Sequence, residues 1–424
     1  MMEGDQVKKD CQLSHIETQL IHGGYEPEKI TGATALPIFQ STSFAYKTAE
    51  ELEAVFAGRE AGYVYSRIGN PTLVGLERRL AVLEDGLGAV ACASGMAAIS
   101  AIVLGLAGQG DEIISGNSIF GGTYSLFANL LKRCGIRAVF VESTDINAYR
   151  DAIGERTKLI FVETVGNPKL DVPDIAALAN VAKEKNVVLV VDNTVTTPLL
   201  LQPKTLGADI VIHSTSKFIN GHGNAIGGII VDCGTFNWSS PRYSQLSPFY
   251  KRAGNMAFLA YLRNQICRDL GGCLSPFNAF LMSIGIESLG VRMERHCANA
   301  MQVAGFLAED RRVREVRYPG LSSHPNHAVA QRQFTGKYGA LLTLKLESKA
   351  QCFKFINGLK RAQNLANLGD AKTLVVHPAS TLCRDLTEEQ RQAVGVSDEL
   401  VRFSIGIEHA DDIISDLDNA LAQV

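Results

Sequence analysis

Short apolar runs separated by stretches with helical spacing dominate the chain from residue 71 to about residue 232. Pro71 opens the series. Leu73, Leu76, Leu80 and Leu83 recur at intervals of three and four, which predicts a helix with one buried face and proline in its first turn, where the missing N–H costs least. Seven runs follow: AVAC, DEIIS, AVFVE, KLIFVE, VVLVVD, DIVIHS and GGIIV. They show almost no polar alternation, so they predict strands covered on both faces. Residues 123–132 and 173–185 between them carry helical spacing, and the whole reads as an α/β unit with a mostly parallel sheet.

Between Asp85 and Asp111 there is no charge for 25 residues, long enough to cross a bilayer. Alanine, glycine and serine fill the stretch, however, and Ser94-Gly95 interrupts it. A buried strand over 89–92, a turn and a buried helix over 96–106 are expected instead. Beyond residue 269 the texture changes. A long helical region over 276–308 leads into a smaller unit, with strands in ALLTLKL and VRFSIGI and helices in FKFINGLKR and DDIISDLDNAL. The first residues are polar, lack the apolar core of a signal peptide and read as a short disordered lead. The expected organisation is an arm over 1–70, a large α/β domain over 71–269 and a C-terminal α+β domain over 270–424.

Composition narrows the function. A chain of 424 residues that is 46% hydrophobic and 20% charged can bury a large core. Lys plus Arg number 41 against 44 Asp plus Glu, without runs of like charge, so a small-molecule partner is expected rather than nucleic acid or a membrane. Nine cysteines are scattered without a C-x-x-C pair, which fits neither a zinc site nor a disulfide framework and points to a reducing cytoplasm. His324 and His327 in SHPNH have no further ligands nearby; they read as solvent-facing loop residues, and no metal is expected.

Two strand ends carry candidate chemistry. In an open α/β sheet ligands gather outside the carboxyl ends of the strands, and there VVLVVDNT places Asp192 and DIVIHSTSKF places Lys217. Taken singly, Asp192 could begin a turn and Lys217 could be a surface lysine. Lys217 sits, though, among Ser214, Thr215 and Ser216 and before the uncharged, glycine-rich GHGNAIGG. Pyridoxal phosphate explains the combination, because it needs a lysine amine for its Schiff base and a carboxylate to keep its ring nitrogen protonated. Its phosphate needs hydroxyls and a helix N-terminus. Ser214 and Ser216 offer the first, and Ser94-Gly95-Met96 the second. The sequence contains no G-x-x-x-x-G-K-[ST], H-E-x-x-H or G-x-S-x-G, and GHGNAIGG has the wrong glycine spacing for a dinucleotide fingerprint.

The motifs YSRIGNPT, ASGMAA, FGGTYSLF, ETVGNPKLD, VDNT, HSTSKFINGHGNAIGG and HPAST resemble those of the cysteine and methionine metabolism family of pyridoxal-phosphate enzymes, over nearly the whole chain from about residue 17. The resemblance implies a fold type I transferase: α/β, with a mostly parallel seven-stranded sheet domain and a smaller C-terminal α+β domain. Within the family, LSPFNAFLMSIGIESLGVRMERHCANA and NLGDAKTLVVHPAST look most like O-acetylhomoserine sulfhydrylases. By the same resemblance, Lys217 matches the Schiff-base lysine, Asp192 the partner of the ring nitrogen and Asn167 a contact near the ring hydroxyl. Gly95, Met96, Ser214 and Ser216 match the phosphate cradle. Tyr65 and Arg67 match residues that reach the neighbouring subunit's phosphate, which implies shared sites in a homotetramer built as a dimer of dimers. Arg402 matches the arginine that grips the substrate carboxylate, a task suited to a forked guanidinium, and Asn367 lies near the same pocket. The family's stacked tyrosine is here Phe120, which keeps the stacking and loses the phenol hydroxyl.

The expected activity is γ-replacement on an O-acylhomoserine, acetyl preferred over succinyl, by a sulfur nucleophile to give homocysteine for methionine biosynthesis. Lys217 would carry the acid–base work, with Tyr65 covering any remainder. A methionine or cystathionine γ-lyase is the enzymatic alternative. A protein that binds the cofactor but has lost γ-chemistry is the alternative from another class.

Overall fold

A computed structural model of the chain describes residues 15–28 and 30–424; residues 1–14, with Cys11 and most of the expected lead, lie outside the described residues, as does Lys29. All seven apolar runs become strands: β1 (Gly88–Cys92), β2 (Glu112–Gly116), β3 (Arg137–Val141), β4 (Thr157–Glu163), β5 (Val188–Asp192), β6 (Ile210–His213) and β7 (Gly228–Asp232). They form one sheet in the order β1-β7-β6-β5-β4-β2-β3. β7 runs antiparallel to β1 and β6, and the other pairings are parallel.

Burial on both faces explains the missing polar alternation. Val188 and Val190 of β5 join a core with Ile99, Ile102 and Val103 of the helix Gly95–Leu106, whereas Leu189 and Val191 join Ile175, Leu178 and Ala182 of the helix Ile175–Glu184. Truncating Leu189 to alanine would cost about 2–5 kcal/mol. The helices begin where the sequence supplies caps. The Asn70 side chain accepts from Thr72 N–H at 2.9 Å ahead of the helix Pro71–Leu83, and Asp174 accepts from Ala177 N–H at 3.0 Å. The uncharged stretch is strand β1, a turn and the helix Gly95–Leu106, and no helix among the described residues is long and apolar enough to cross a membrane.

A second sheet has the order β10-β11-β12-β9-β8, with β8 (Glu315–Arg317), β9 (Leu341–Lys345), β10 (Gln363–Asn364), β11 (Leu374–Val376) and β12 (Leu400–Ser404). Only β9 and β12 were expected; the other three are two or three residues long. The helical region expected over 276–308 divides at Ser288 into Pro276–Glu287 and Leu289–Glu309. Ala279, Met282 and Ile286 of the first pack with Leu76 and Leu80 beside the large sheet, and Ala300, Val303 and Leu307 of the second pack on the small one. This helix pair therefore couples the two sheets.

His324 departs from the solvent-facing expectation. It is buried, and burial pushes its imidazole down to about 4. The SHPNH loop folds inward because Asn326 accepts from Val172 N–H at 3.1 Å, while His324 Nδ1 accepts from Asn326 N–H at 3.2 Å. No cluster of His, Cys, Asp or Glu suited to a metal occurs among the described residues, whose eight cysteines are free thiols.

Candidate active site

The carboxyl ends of β4, β5 and β6, the turn after β1 and strand β12 converge on a cavity of about 840 Å³. Ser94, Gly95, Met96, Phe120, Asn167, Asp192, Ser214, Ser216, Lys217, Asn367 and Arg402 all line it. Their common address follows from topology, since parallel strands deliver their last residues to one edge of the sheet.

Lys217 stands on a turn one step beyond β6. Arg292, from the helix Leu289–Glu309, fixes the turn by donating to Phe218 O at 2.7 Å and Gly285 O at 2.6 Å. Lys217 Nζ donates to Asn367 Oδ1 at 2.6 Å. Burial first, and the charge of Arg402 second, push the amine down to about 8. A buried lysine of this kind is partly neutral, and hence nucleophilic, near neutral pH.

Asp192 ends β5, and its Oδ1 accepts from Thr194 N–H at 3.0 Å and Thr194 Oγ1–H at 2.5 Å. Burial raises its carboxyl, and the two Thr194 bonds and His213 oppose the rise. Thr194 Oγ1 also accepts from Ser214 N–H at 2.8 Å, tying the Lys217 turn to the Asp192 strand. Behind these strand ends, His213 Nε2 meets Glu84 Oε1 at 2.5 Å in full burial, and Asn193 Nδ2 donates to the same oxygen at 2.8 Å. The ends of β5 and β6 are thereby pinned to the helix Pro71–Leu83.

On the opposite wall Ser94 caps the helix Gly95–Leu106 by accepting from Ala97 N–H at 3.0 Å. A Cβ on Gly95 would lie 2.7 Å from Ser214 Cβ, so glycine is what lets the helix start approach the Lys217 strand. Ser216 Oγ is held by backbone, donating to Gly227 O at 3.1 Å and accepting from Gly227 N–H at 2.9 Å.

Arg402 is 2% exposed on β12 and donates to Asn167 Oδ1 at 3.0 Å and Asn367 O at 2.7 Å. Its Nε has no partner, and among the described residues no carboxylate pairs with it. Burial pushes it down to about 10. A buried guanidinium satisfied only by neutral oxygens favours an incoming carboxylate.

The structure does not bring Tyr65 and Arg67 to the cavity of their own chain. The Arg67 guanidinium lies 5.3 Å from the Tyr65 ring centroid, and Nη1 donates to Arg268 O at 2.5 Å. Glu163 and Thr194 were not singled out from the sequence, although KLIFVE and VVLVVD both end an apolar run on an acid, and that repeated ending was the available signal for Glu163. Glu163 lines the cavity, and its Oε1 accepts from Phe120 N–H at 2.7 Å.

These groups fit pyridoxal phosphate. A lysine amine of lowered basicity faces a strand-end carboxylate across one cavity, and a helix start made close-fitting by Gly95 lies beside Ser214. Residues 17–422 match the family model for Cys/Met metabolism PLP-dependent enzymes. The chain is 41% identical to an O-acetyl-L-homoserine sulfhydrylase of Leptospira meyeri over 427 residues, covering 96% of this chain and 97% of the relative. It is 42% identical to a homocysteine synthase of Schizosaccharomyces pombe over 423 residues, covering 97% and 99%. Among solved structures it resembles an O-acetylhomoserine (thiol)-lyase from Campylobacter jejuni with N'-pyridoxyl-lysine-5'-monophosphate, at a TM-score of 0.92 and 34% identity, covering 96% of this chain and 100% of that one. The chain therefore belongs to the Cys/Met metabolism family of pyridoxal-phosphate-dependent enzymes.

Proposed function

We propose that the protein replaces the γ-acyloxy group of an O-acyl-L-homoserine with a sulfur nucleophile, forming homocysteine in methionine biosynthesis, with the acetyl ester preferred. One observation carries the reading: Lys217 and Arg402 face one cavity, linked through Asn367, with the guanidinium free of any carboxylate among the described residues. An amine and a guanidinium on one cavity suit the two ends of one amino acid. The ester preference follows from the rest of the wall. Phe120, Ile226, Leu368 and Leu382 are apolar, and among the described residues Lys217 and Arg402 are the only lysine and arginine lining it. A succinyl tail would bring a second carboxylate to that wall, where desolvation disfavours it.

In this mechanism Arg402 holds the substrate carboxylate, and Asn167 and Asn367 hold Arg402. Lys217 and Asp192 would hold pyridoxal phosphate, which when bound would supply an electron sink for negative charge at the substrate Cα. Lys217 Nζ would take the proton from the substrate Cα and later return one. Phe120 offers a ring face and no acid, so an ester that departs as a stable carboxylate suits this site better than a thioether. Tyr65 and Arg67, remote from their own cavity, would complete the site of a neighbouring subunit, in a dimer of dimers. The free buried thiols accord with a reducing cytoplasm.

The test is product formation from O-acetylhomoserine in the native protein and in Lys217→Ala, homocysteine being expected with sulfide or a sulfur-carrier protein as donor and the S-substituted thioether with a small thiol. Turnover with at least one donor, abolished by the substitution, is expected. More than trace turnover in Lys217→Ala would exclude the mechanism.

A further inference from the structure

The cavity contains one titratable side chain that the mechanism above does not use. Glu163 ends β4 and pairs in parallel register with Asp192 at the end of β5. Side chains in register on adjacent parallel strands point to the same face, here the one that carries Phe161 and Val190 into a shared core. Both carboxyls line the cavity. Two like charges side by side in a desolvated wall do not both ionise readily.

The surroundings distinguish them. Asp192 receives the two Thr194 bonds and the influence of His213 from the sheet behind, all of which favour its anion. Glu163 is buried, and among the described residues Asp192 is the charged neighbour that acts on it; burial foremost, and that carboxylate next, hold its own carboxyl well above the usual range. The two cations of the cavity are turned elsewhere, Lys217 to Asn367 and Arg402 to Asn167 and Asn367, and among the described residues none forms an ion pair with Glu163. What Glu163 does hold is backbone, the N–H of Phe120 at 2.7 Å and the N–H of Asn167.

We propose that Glu163 is a positioning residue that works as a neutral carboxylic acid, anchoring the backbone of Phe120 and Asn167 at the cavity wall while leaving Asp192, among the described residues, the one anion lining it. The inference rests on the assignment of Asp192 to the ring nitrogen. It predicts that an amide, which keeps an accepting oxygen and carries no charge, replaces the acid.

The experiment uses the full-length apoprotein and its Glu163→Gln, Glu163→Ala and Asp192→Asn variants, titrated with pyridoxal phosphate by fluorescence and, once loaded, followed by absorbance against pH. Glu163→Gln is expected to bind within about threefold of the native protein and to keep its absorbance profile. Glu163→Ala, which leaves two buried N–H groups unpaired, is expected to bind at least about tenfold more weakly. Infrared difference spectra of native protein against Glu163→Gln at neutral pH should show the loss of a protonated-carboxyl band, a readout that stands even if the alanine variant fails to fold. Loss of an ionised-carboxylate band instead, Glu163→Gln as weak as Glu163→Ala, or Glu163→Ala equal to native protein would overturn the proposal. Native-like affinity and spectrum in Asp192→Asn would overturn the underlying assignment, and that failure is separately visible because it does not involve Glu163.

Discussion

Replacing Arg402 by methionine separates what the guanidinium is proposed to do for the substrate from what it costs the fold. Burial lowers Arg402 from its ordinary value to about 10. A charged base held below its unfolded value is a liability wherever it stays protonated in both states, so the cost is fully present below about pH 10 and disappears as pH approaches the unfolded value. At neutral pH it amounts to about 3 kcal/mol. Methionine removes that cost and leaves Asn167 Oδ1 and Asn367 O without their donor, a loss of about 1 kcal/mol each. The cofactor-free variant is therefore expected to be as stable as the native protein or more stable by about 1 kcal/mol. Catalysis goes the other way. A forked grip on the substrate carboxylate supplies two charge-assisted bonds of about 1.5–3 kcal/mol each, so kcat/KM for O-acetylhomoserine should fall by about 10²–10⁴-fold. Denaturant midpoints of the apoproteins and initial rates of homocysteine formation provide the two numbers. A fall in kcat/KM of less than about tenfold, or destabilisation beyond about 2 kcal/mol, would refute the reasoning, the second by making Arg402 a structural residue.

Lys217 gives a pH prediction of the same sign. With its folded value near 8 against an ordinary 10.5, the charged amine destabilises the apoprotein fully below about pH 8, and the penalty fades as pH rises toward 10.5; the stability gap between native apoprotein and Lys217→Met should close over that window. A gap independent of pH would contradict the assignment. The rate of reconstitution with pyridoxal phosphate should rise with pH up to about 8 and then level, and a flat profile would count against the neutral amine as the reacting form. For Phe120→Tyr, acetate leaves as the anion of an acid near pKa 4 whereas a thiolate belongs to one nearer 8 or 9, so adding the hydroxyl should favour elimination from methionine or cystathionine over replacement on O-acetylhomoserine; no relative gain would remove Phe120 from the specificity argument. Mixing Arg67→Ala subunits with Lys217→Ala subunits should restore part of the activity lost in each alone, and mixed oligomers that form yet stay inactive would exclude a shared site.

The large sheet was legible because burial on both faces writes itself as unbroken apolar runs, and each of the seven became a strand. β8, β10 and β11 were not, since two or three residues carry no periodicity. The short helical turns between Pro241 and Leu270 were missed for a related reason: 3₁₀ and π stretches lack a sustained amphipathic repeat. In the site, Asp192, Lys217 and Ser94 announced themselves by local context. The Glu84–His213–Asn193 cluster did not, because it joins residues 129 and 109 positions apart. His324 misled because a polar loop can still be folded inward by one partner, Asn326, whose contact with Val172 lies 154 positions away. Tyr65 and Arg67 are a separate case. Among the described residues neither lines the cavity of its own chain, and only the family resemblance singled them out.

The coupling of two sheets through one cavity also sets an order of assembly. The strands of the large sheet, with Ser94, Asp192 and Lys217 at their ends, are complete by residue 232, whereas Arg402 follows 170 residues later. At synthesis rates of about 5–20 residues per second, that interval is roughly 10–30 s. During it the lysine and carboxylate proposed to engage the cofactor already exist as sequence, and the guanidinium proposed to select an amino acid does not. On that proposal the groups for reactivity are synthesised before the group for discrimination, which arrives with β12.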